Sequence, residues 1–202
     1  MAVPKIIKKA GKWLWRVFYV LVILLVTAYF LLQTETVQTY LCQKAASYLS
    51  GELETKVEIK RVNIEFVKKI VLEGIYIEDQ HKDTLLYVNE LKIDIKNFDY
   101  SKQEMLVSDI SLKDGKSEII YYKNDSDLSF QFVKDYLRDT DTTAKDTSAG
   151  WKVDFGDIRL INFEFCYRDQ RFTDTSRGID FEDMRAKQIN ASFFGLKTTE
   201  DT

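Results

Sequence analysis

From position 17 to position 32 the chain runs through apolar residues without a single charge (VFYVLVILLVTAYFLL), and Lys5, Lys8, Lys9, Lys12 and Arg16 stand directly before that run. As a helix it would measure roughly 24 Å, and a start at Trp13 lengthens it to roughly 30 Å, the hydrocarbon thickness of a bilayer. Trp13, Trp15, Tyr19 and Tyr29 lie toward its ends, where amphipathic rings favour the headgroup layer. The pattern predicts a transmembrane signal anchor over residues 13–32 behind a basic tail, residues 1–12. A cleaved signal peptide is the competing reading. The run exceeds the usual apolar core of such peptides, however, and Gln33-Thr34-Glu35 stands where a small-residue cleavage site would be needed. The cations before the span place the N-terminus in the cytoplasm and everything from residue 33 onward outside it.

Behind the anchor, Val37, Tyr40, Leu41, Ala45, Tyr48 and Leu49 recur at helical spacing. They predict an amphipathic helix over residues 33–51 that stops at Gly51 and caps the start of the next domain. From Lys56 the period becomes two. Val57 and Ile59, then Val62, Ile64 and Phe66, alternate with polar residues, and the phase slips at Lys60-Arg61, which suggests a bulge. Further strands are expected at Ile70–Glu78, Leu85–Lys96, Leu106–Leu112 and Glu118–Lys123.

Ser129 to Arg138 reads as a short helix and residues 139–150 as a flexible polar loop. Strand character returns at Val153–Tyr167, with a further bulge at Gly156, and at Ile179–Phe194. Long strands with one apolar and one charged face predict an antiparallel sheet, because most connections are too short to hold a crossover helix. Residues 52–202 thus read as the start of one β domain.

Period two assigns Val57, Ile59, Leu85, Tyr87, Leu91, Ile93, Ile95, Leu106, Ile110 and Leu112 to the apolar face. Such a face fits either a sealed core or a groove that holds acyl chains at roughly 0.8 kcal/mol per buried methylene. The scarcity of helices after the anchor favours the groove.

Charge narrows the partners. The chain carries −3 overall, and the five cations of the first 32 residues are unbalanced there, which leaves −8 for the rest and argues against nucleic acid. The single histidine, His81, sits in a polar turn, and the two cysteines, Cys42 and Cys166, are far apart, so neither metal-ligand spacing nor a redox pair is visible. A disulfide between them is open. Paired catalytic carboxylates, nucleophile–base sets and glycine-rich phosphate loops are not recognisable, so neither a cofactor nor an enzymatic activity is expected.

Leu72–Gln80 (LEGIYIEDQ) and Leu160–Gln170 (LINFEFCYRDQ) each end in Asp-Gln at a turn and lead into another strand, a degenerate internal repeat. The strand-like Asn190–Phe194 lies close to residue 202, from which the chain is expected to be the N-terminal part of a longer protein.

These elements together, namely the anchor, Gln33–Leu41, the Lys56–Ile59 strand, LEGIYIEDQ, NFEFCYRDQ and GIDFEDM at Gly178–Met184, resemble the N-terminal region of the TamB branch of the AsmA-like proteins, in its Bacteroidetes form. The resemblance implies an inner-membrane anchor followed by a long periplasmic β-sheet curled into an open apolar groove, the architecture of bridge-like lipid-transfer proteins. It implies phospholipid transport toward the outer membrane and outer-membrane biogenesis, with membrane phospholipids as cargo. An outer-membrane barrel partner of the TamA or BamA type would be met through regions that are absent from this sequence. A different class fits the same residues: a single-pass periplasmic module that binds a protein by strand addition at an open sheet edge.

Overall fold

A computed structural model describes residues 5–65, 68–143, 152–172 and 180–194. The apolar run forms helix α1 (Lys5–Leu32), which begins earlier than the expected span. The stretch Trp15–Leu32 is long and apolar enough to cross a membrane, and none of it is buried by the rest of the chain. The backbone breaks at Gln33-Thr34, where the Thr34 hydroxyl donates to the Leu31 carbonyl at 2.7 Å. Helix α2 follows (Glu35–Glu52).

The remaining elements are β1 (Val57–Glu65), β2 (Lys69–Glu78), β3 (Thr84–Asp99), β4 (Glu104–Tyr121), α3 (Gln131–Thr143), β5 (Lys152–Asp169) and β6 (Asp183–Phe193). The six strands form one sheet in sequence order. It is open and uncurled. The two strands expected between Leu106 and Lys123 are one, β4, and the strand segments expected over Val153–Tyr167 are likewise one, β5.

All neighbouring strands are antiparallel except β4 and β5, which run parallel with residue i beside residue i+48. The expectation of a purely antiparallel sheet is corrected here. Parallel neighbours need a crossover of a dozen or more residues. The connection between β4 and β5, residues 122–151, is long enough and contains α3. That helix runs on to Thr143, past the expected start of the loop at Asp139. Residues 144–150 of that loop lie outside the described residues, as do Phe66, Gly178, Ile179 and residues 195–202.

Helix α2 lies along the outer edge of β1 and caps it with side chains. Val62 N–H donates to Thr39 Oγ1 (3.1 Å) and Thr39 Oγ1 donates to the Val62 carbonyl (3.3 Å). The Gln38 amide does the same for Ile64, accepting at 2.7 Å and donating at 3.2 Å, and Gln43 donates to the Lys60 carbonyl. Ser50 accepts from Val57 N–H. The capping role expected for this helix is thus carried by its polar residues. Of the apolar stripe predicted from spacing, Leu49 packs against Ala46, Leu53 and Val57, whereas Tyr40, Leu41 and Tyr48 are exposed. Unpaired backbone groups on an edge strand demand hydrogen-bonding partners, and that demand selects the helix face.

Candidate functional site

Strand pairing sets the apolar side chains in transverse rows. The row nearest α1 reads Ile64, Ile70, Ile93, Ile110, Ile158 and Phe193 from β1 to β6, and the next reads Val62, Leu72, Leu91, Leu112, Leu160 and Ala191. Beyond them come Ile59, Ile75, Val88, Gly115, Phe163 and Ile189, then Val57, Ile77, Leu86, Ser117, Phe165 and Ala186.

The second and third rows are three residues apart, yet Leu72, Leu91, Leu112 and Leu160 pack with Ile75, Val88 and Phe163 in one cluster, so both rows share a face. Strict alternation would put them on opposite faces. Between the two rows, a line of left-handed residues absorbs the extra position in three strands, Gly74 (φ 63°) in β2, Asp114 (φ 50°) in β4 and Asn162 (φ 50°) in β5, while in β6 the left-handed Gln188 (φ 54°) falls one row further on, between Ile189 and Ala186. Glycine, asparagine and aspartate are the residue types that enter this region most readily. The line is also joined laterally, since Asn162 Nδ2 donates to Asp114 Oδ1 at 2.7 Å and Asn162 N–H to Asn190 Oδ1 at 3.0 Å.

This phase slip decides which predicted residues meet. Val57, Ile59, Leu91, Ile93, Ile110 and Leu112 share the apolar face, and Ile95 joins them opposite Val107. Leu85 and Tyr87 do not. With Val88 and Leu86 turned inward after the slip, both lie on the opposite face. Leu106 is also misplaced: Ser108 is an extra residue in β4, so Val107, 2% exposed, faces inward and Leu106 faces away. Gly156 sits beside this bulge, and its Cβ would fall 2.3 Å from the Ser108 carbonyl oxygen.

Residues of the face that period two missed include Ile70, Leu72, Ile75, Val88, Ile158 and Leu160. Their signal was the mid-strand Gly74, Asp114 and Asn162, each flanked by apolar residues three apart.

The opposite face is charged and laced across strands. Arg159 makes two bonds to Asp109 (2.8 and 2.5 Å), Arg61 reaches Glu73 and Glu35, and Lys187 and Arg185 flank Glu164. Pairs so exposed add little stability and keep this side in water.

Cover over the apolar face is uneven. At the Val57 end, Ala46 of α2, Leu53 directly after it, and Phe132 and Tyr136 of α3 pack on Val57, Ile59 and Ile77. At the other end Ile70, Leu72, Leu91, Ile93, Ile110, Leu112, Ile158 and Leu160 are only half-buried. The two half-buried rows span about 24 Å across the strands and stand about 7 Å apart along them, an apolar strip beside the covered end.

The open end meets α1. A cavity of about 690 Å³ is lined by Tyr29 and Leu32 of α1, Leu41 and Cys42 of α2, and Val62, Ile64, Ile70 and Leu72 of the sheet. Burial raises the Cys42 thiol above its ordinary value. Cys42 and Cys166 are both free thiols, with no disulfide between them.

Trp13, Trp15, Arg16 and Tyr29 are exposed on α1, and Trp15 stacks on Tyr19 at 5.2 Å. The side chains of Lys5, Lys8, Lys9 and Lys12 lie outside the described residues. Among the described residues no cluster of His, Cys, Asp and Glu could hold a metal ion.

At the far end, Asp79 and Asp169 close the two Asp-Gln turns of the repeat. Asp79 accepts from the His81 and Asp83 N–H groups and from the Tyr122 hydroxyl (2.6 Å), and Asp169 accepts from the backbone and guanidinium of Arg171. Burial and the neighbouring Asp79 and Asp83 carboxylates hold the Tyr122 hydroxyl far above its usual range. His81 stacks on Tyr122 at 3.7 Å.

Comparison with protein-family models, curated proteins and solved structures returns no match. The TamB-like resemblance therefore rests on the short motifs given above.

Proposed function

We propose that this chain is a membrane-anchored phospholipid conduit whose half-open apolar sheet face forms one wall of a lipid groove. One observation carries the reading: the apolar rows open onto a cavity that the last turn of α1 helps to line. A lipid leaving the bilayer beside α1 enters a mouth lined mainly by apolar side chains, with Gln33 and Gln38 beside Ile64 and Ile70. The reading includes an N-terminus in the cytoplasm, a sheet in the periplasm and delivery toward the outer membrane. No covalent chemistry is needed, because neighbouring positions along a row bury an acyl chain almost equally well.

A photo-cross-linking residue at Ile93 in the full chain tests this in membranes. A phospholipid adduct at Ile93, with none at Tyr87 on the charged face, supports the reading. No adduct at Ile93, or equal adducts at both, overturns it.

A second reading has its own observation. β1 is capped by α2, whereas among the described residues nothing pairs with the outer edge of β6, which carries exposed Met184, Phe193 and Phe194. A protein partner adding a strand there would protect the β6 amides from hydrogen exchange, with no lipid adduct at Ile93.

A further inference from the structure

The β3–β4 hairpin overhangs the end of the sheet that α1 leaves. Ile95 N–H is held by the Lys68 carbonyl at 2.7 Å, just before the first residue of β2, so Lys96–Asp99 and the turn run on beyond β2 by about 16 Å. At the tip, Tyr100 is 79% exposed and Phe98 47% exposed, and Phe155 on neighbouring β5 is also exposed.

The turn is closed by hydrogen bonds to one carboxylate. Asp99 Oδ1 accepts from Ser101 N–H (3.0 Å), Ser101 Oγ (2.6 Å) and Lys102 N–H (3.2 Å), which holds the Asp99 carboxyl below its usual range.

Exposed Lys68, Lys96, Lys102 and Lys152 stand around this hairpin among Glu65, Asp99, Glu104 and Asp154, and Lys102 reaches Asp99 at 3.7 Å, whereas the far end holds Asp79, Asp83, Asp125, Asp127 and Asp169 beside Lys82, Lys123 and Arg171. Because Tyr29 and Leu32 of α1 pack beside Ile64 and Ile70, a membrane spanned by α1 lies on the hairpin's side of the sheet.

We infer that this hairpin is a second membrane contact, with Phe98 and Tyr100 seated in the phospholipid headgroup layer and the surrounding lysines facing anionic lipid. Aromatic rings favour that layer, and lysines near an anionic surface are attracted to it. Two contacts, α1 and the hairpin, fix the tilt of the sheet and hold the open rows toward the bilayer. The inference rests on α1 spanning a membrane.

The test is spin-label accessibility on the full chain in vesicles of phosphatidylcholine and phosphatidylglycerol, in a Cys42→Ala, Cys166→Ala background. Labels are placed at Lys102→Cys, at Lys82→Cys in the far turn, and at Leu24→Cys in α1. The expected result is a severalfold lower collision rate with a water-soluble nickel chelate at position 102 than at position 82. The Phe98→Ser, Tyr100→Ser double variant should raise the rate at 102 to that at 82, with circular dichroism unchanged. Equal rates at 102 and 82, with the label at 24 still shielded, overturn the hairpin contact alone. Free access at 24 overturns the spanning helix as well, whereas the conduit reading is decided separately by the cross-link at Ile93.

Discussion

Ile93 stands in the middle of the row nearest α1, between Ile70 and Ile110, and is half-buried. In Ile93→Asp the free protein keeps water on the carboxylate. Folding then loses about half of the 1.5–3 kcal/mol of a fully buried isoleucine and up to about 1 kcal/mol of strand preference. An acyl chain lying over the same position must strip that water, at about 2–7 kcal/mol for a polar group left without a partner. Taking about 3 kcal/mol, lipid affinity falls by about 100-fold while the fold survives. Native mass spectrometry of the full chain, with phospholipid counted per protein, reads the loss, and circular dichroism with urea melting reads the fold. Ile110→Asp should behave alike, and Lys113→Ser on the charged face should change nothing. A folded Ile93→Asp that retains its phospholipid refutes the apolar face as the lipid surface. Unfolding of both aspartate variants refutes it too, by showing a sealed core.

Tyr87→Ser separates strict alternation from the observed slip: lipid capture should be unchanged in the same assay, because Tyr87 lies on the charged face. Thr39→Val leaves the Val62 N–H and carbonyl without side-chain partners, which should cost about 1–3 kcal/mol in urea unfolding and promote self-association through the uncovered β1 edge, seen by size-exclusion chromatography. Gly115→Val, despite the strand preference of valine, should destabilise by about 1–3 kcal/mol, since even a Cβ would sit 2.4 Å from the Phe163 ring. The Arg171 guanidinium holds the Asp169 carboxyl below its ordinary value. Its contribution is therefore full above the unfolded value of about 3.9 and disappears as pH falls through the lower folded value. The gap in urea midpoint between the native chain and Asp169→Asn should accordingly narrow below about pH 4.

Much of this fold is legible in the sequence because single forces dominate locally. An uncharged run behind five cations has no other use for its surface, and α1 follows. Alternation within each half of a strand also reads directly, which is why Leu91, Ile93, Ile110 and Leu112 fall where spacing puts them. Alternation fails along the line Lys60, Gly74, Asn89, Asp114 and Asn162, where left-handed residues stand in β2, β4 and β5 only, so a period count started at Leu85 lands on the wrong face by Leu91. The slip at Lys60-Arg61 was visible, but its recurrence at Gly74, Asp114, Asn162 and Gln188 depends on cross-strand register, which no single strand encodes. The side chosen by α2 is illegible for a related reason. Its apolar spacing suggested one face, while the unpaired backbone of β1, set by tertiary position, selected Gln38, Thr39 and Gln43.

The borders of the sheet are not equivalent, and that inequality gives the conduit reading its direction. α2 satisfies the β1 edge, so no strand can add there, while among the described residues nothing pairs with the outer edge of β6. The rows of like residues run from α2 toward β6, across the strands. An acyl chain aligned with the isoleucine row therefore passes Ile64, Ile70, Ile93, Ile110 and Ile158 with nearly constant burial and meets Phe193 at the β6 edge. Motion along a strand is harder, since it leads onto the buried row of Ile75, Val88 and Phe163 and then to the end packed beneath α2 and α3. The low-resistance path is thus transverse, from the mouth beside α1 to β6, about 24 Å away. Any strand that pairs with β6 in the same register lengthens that path without altering its chemistry.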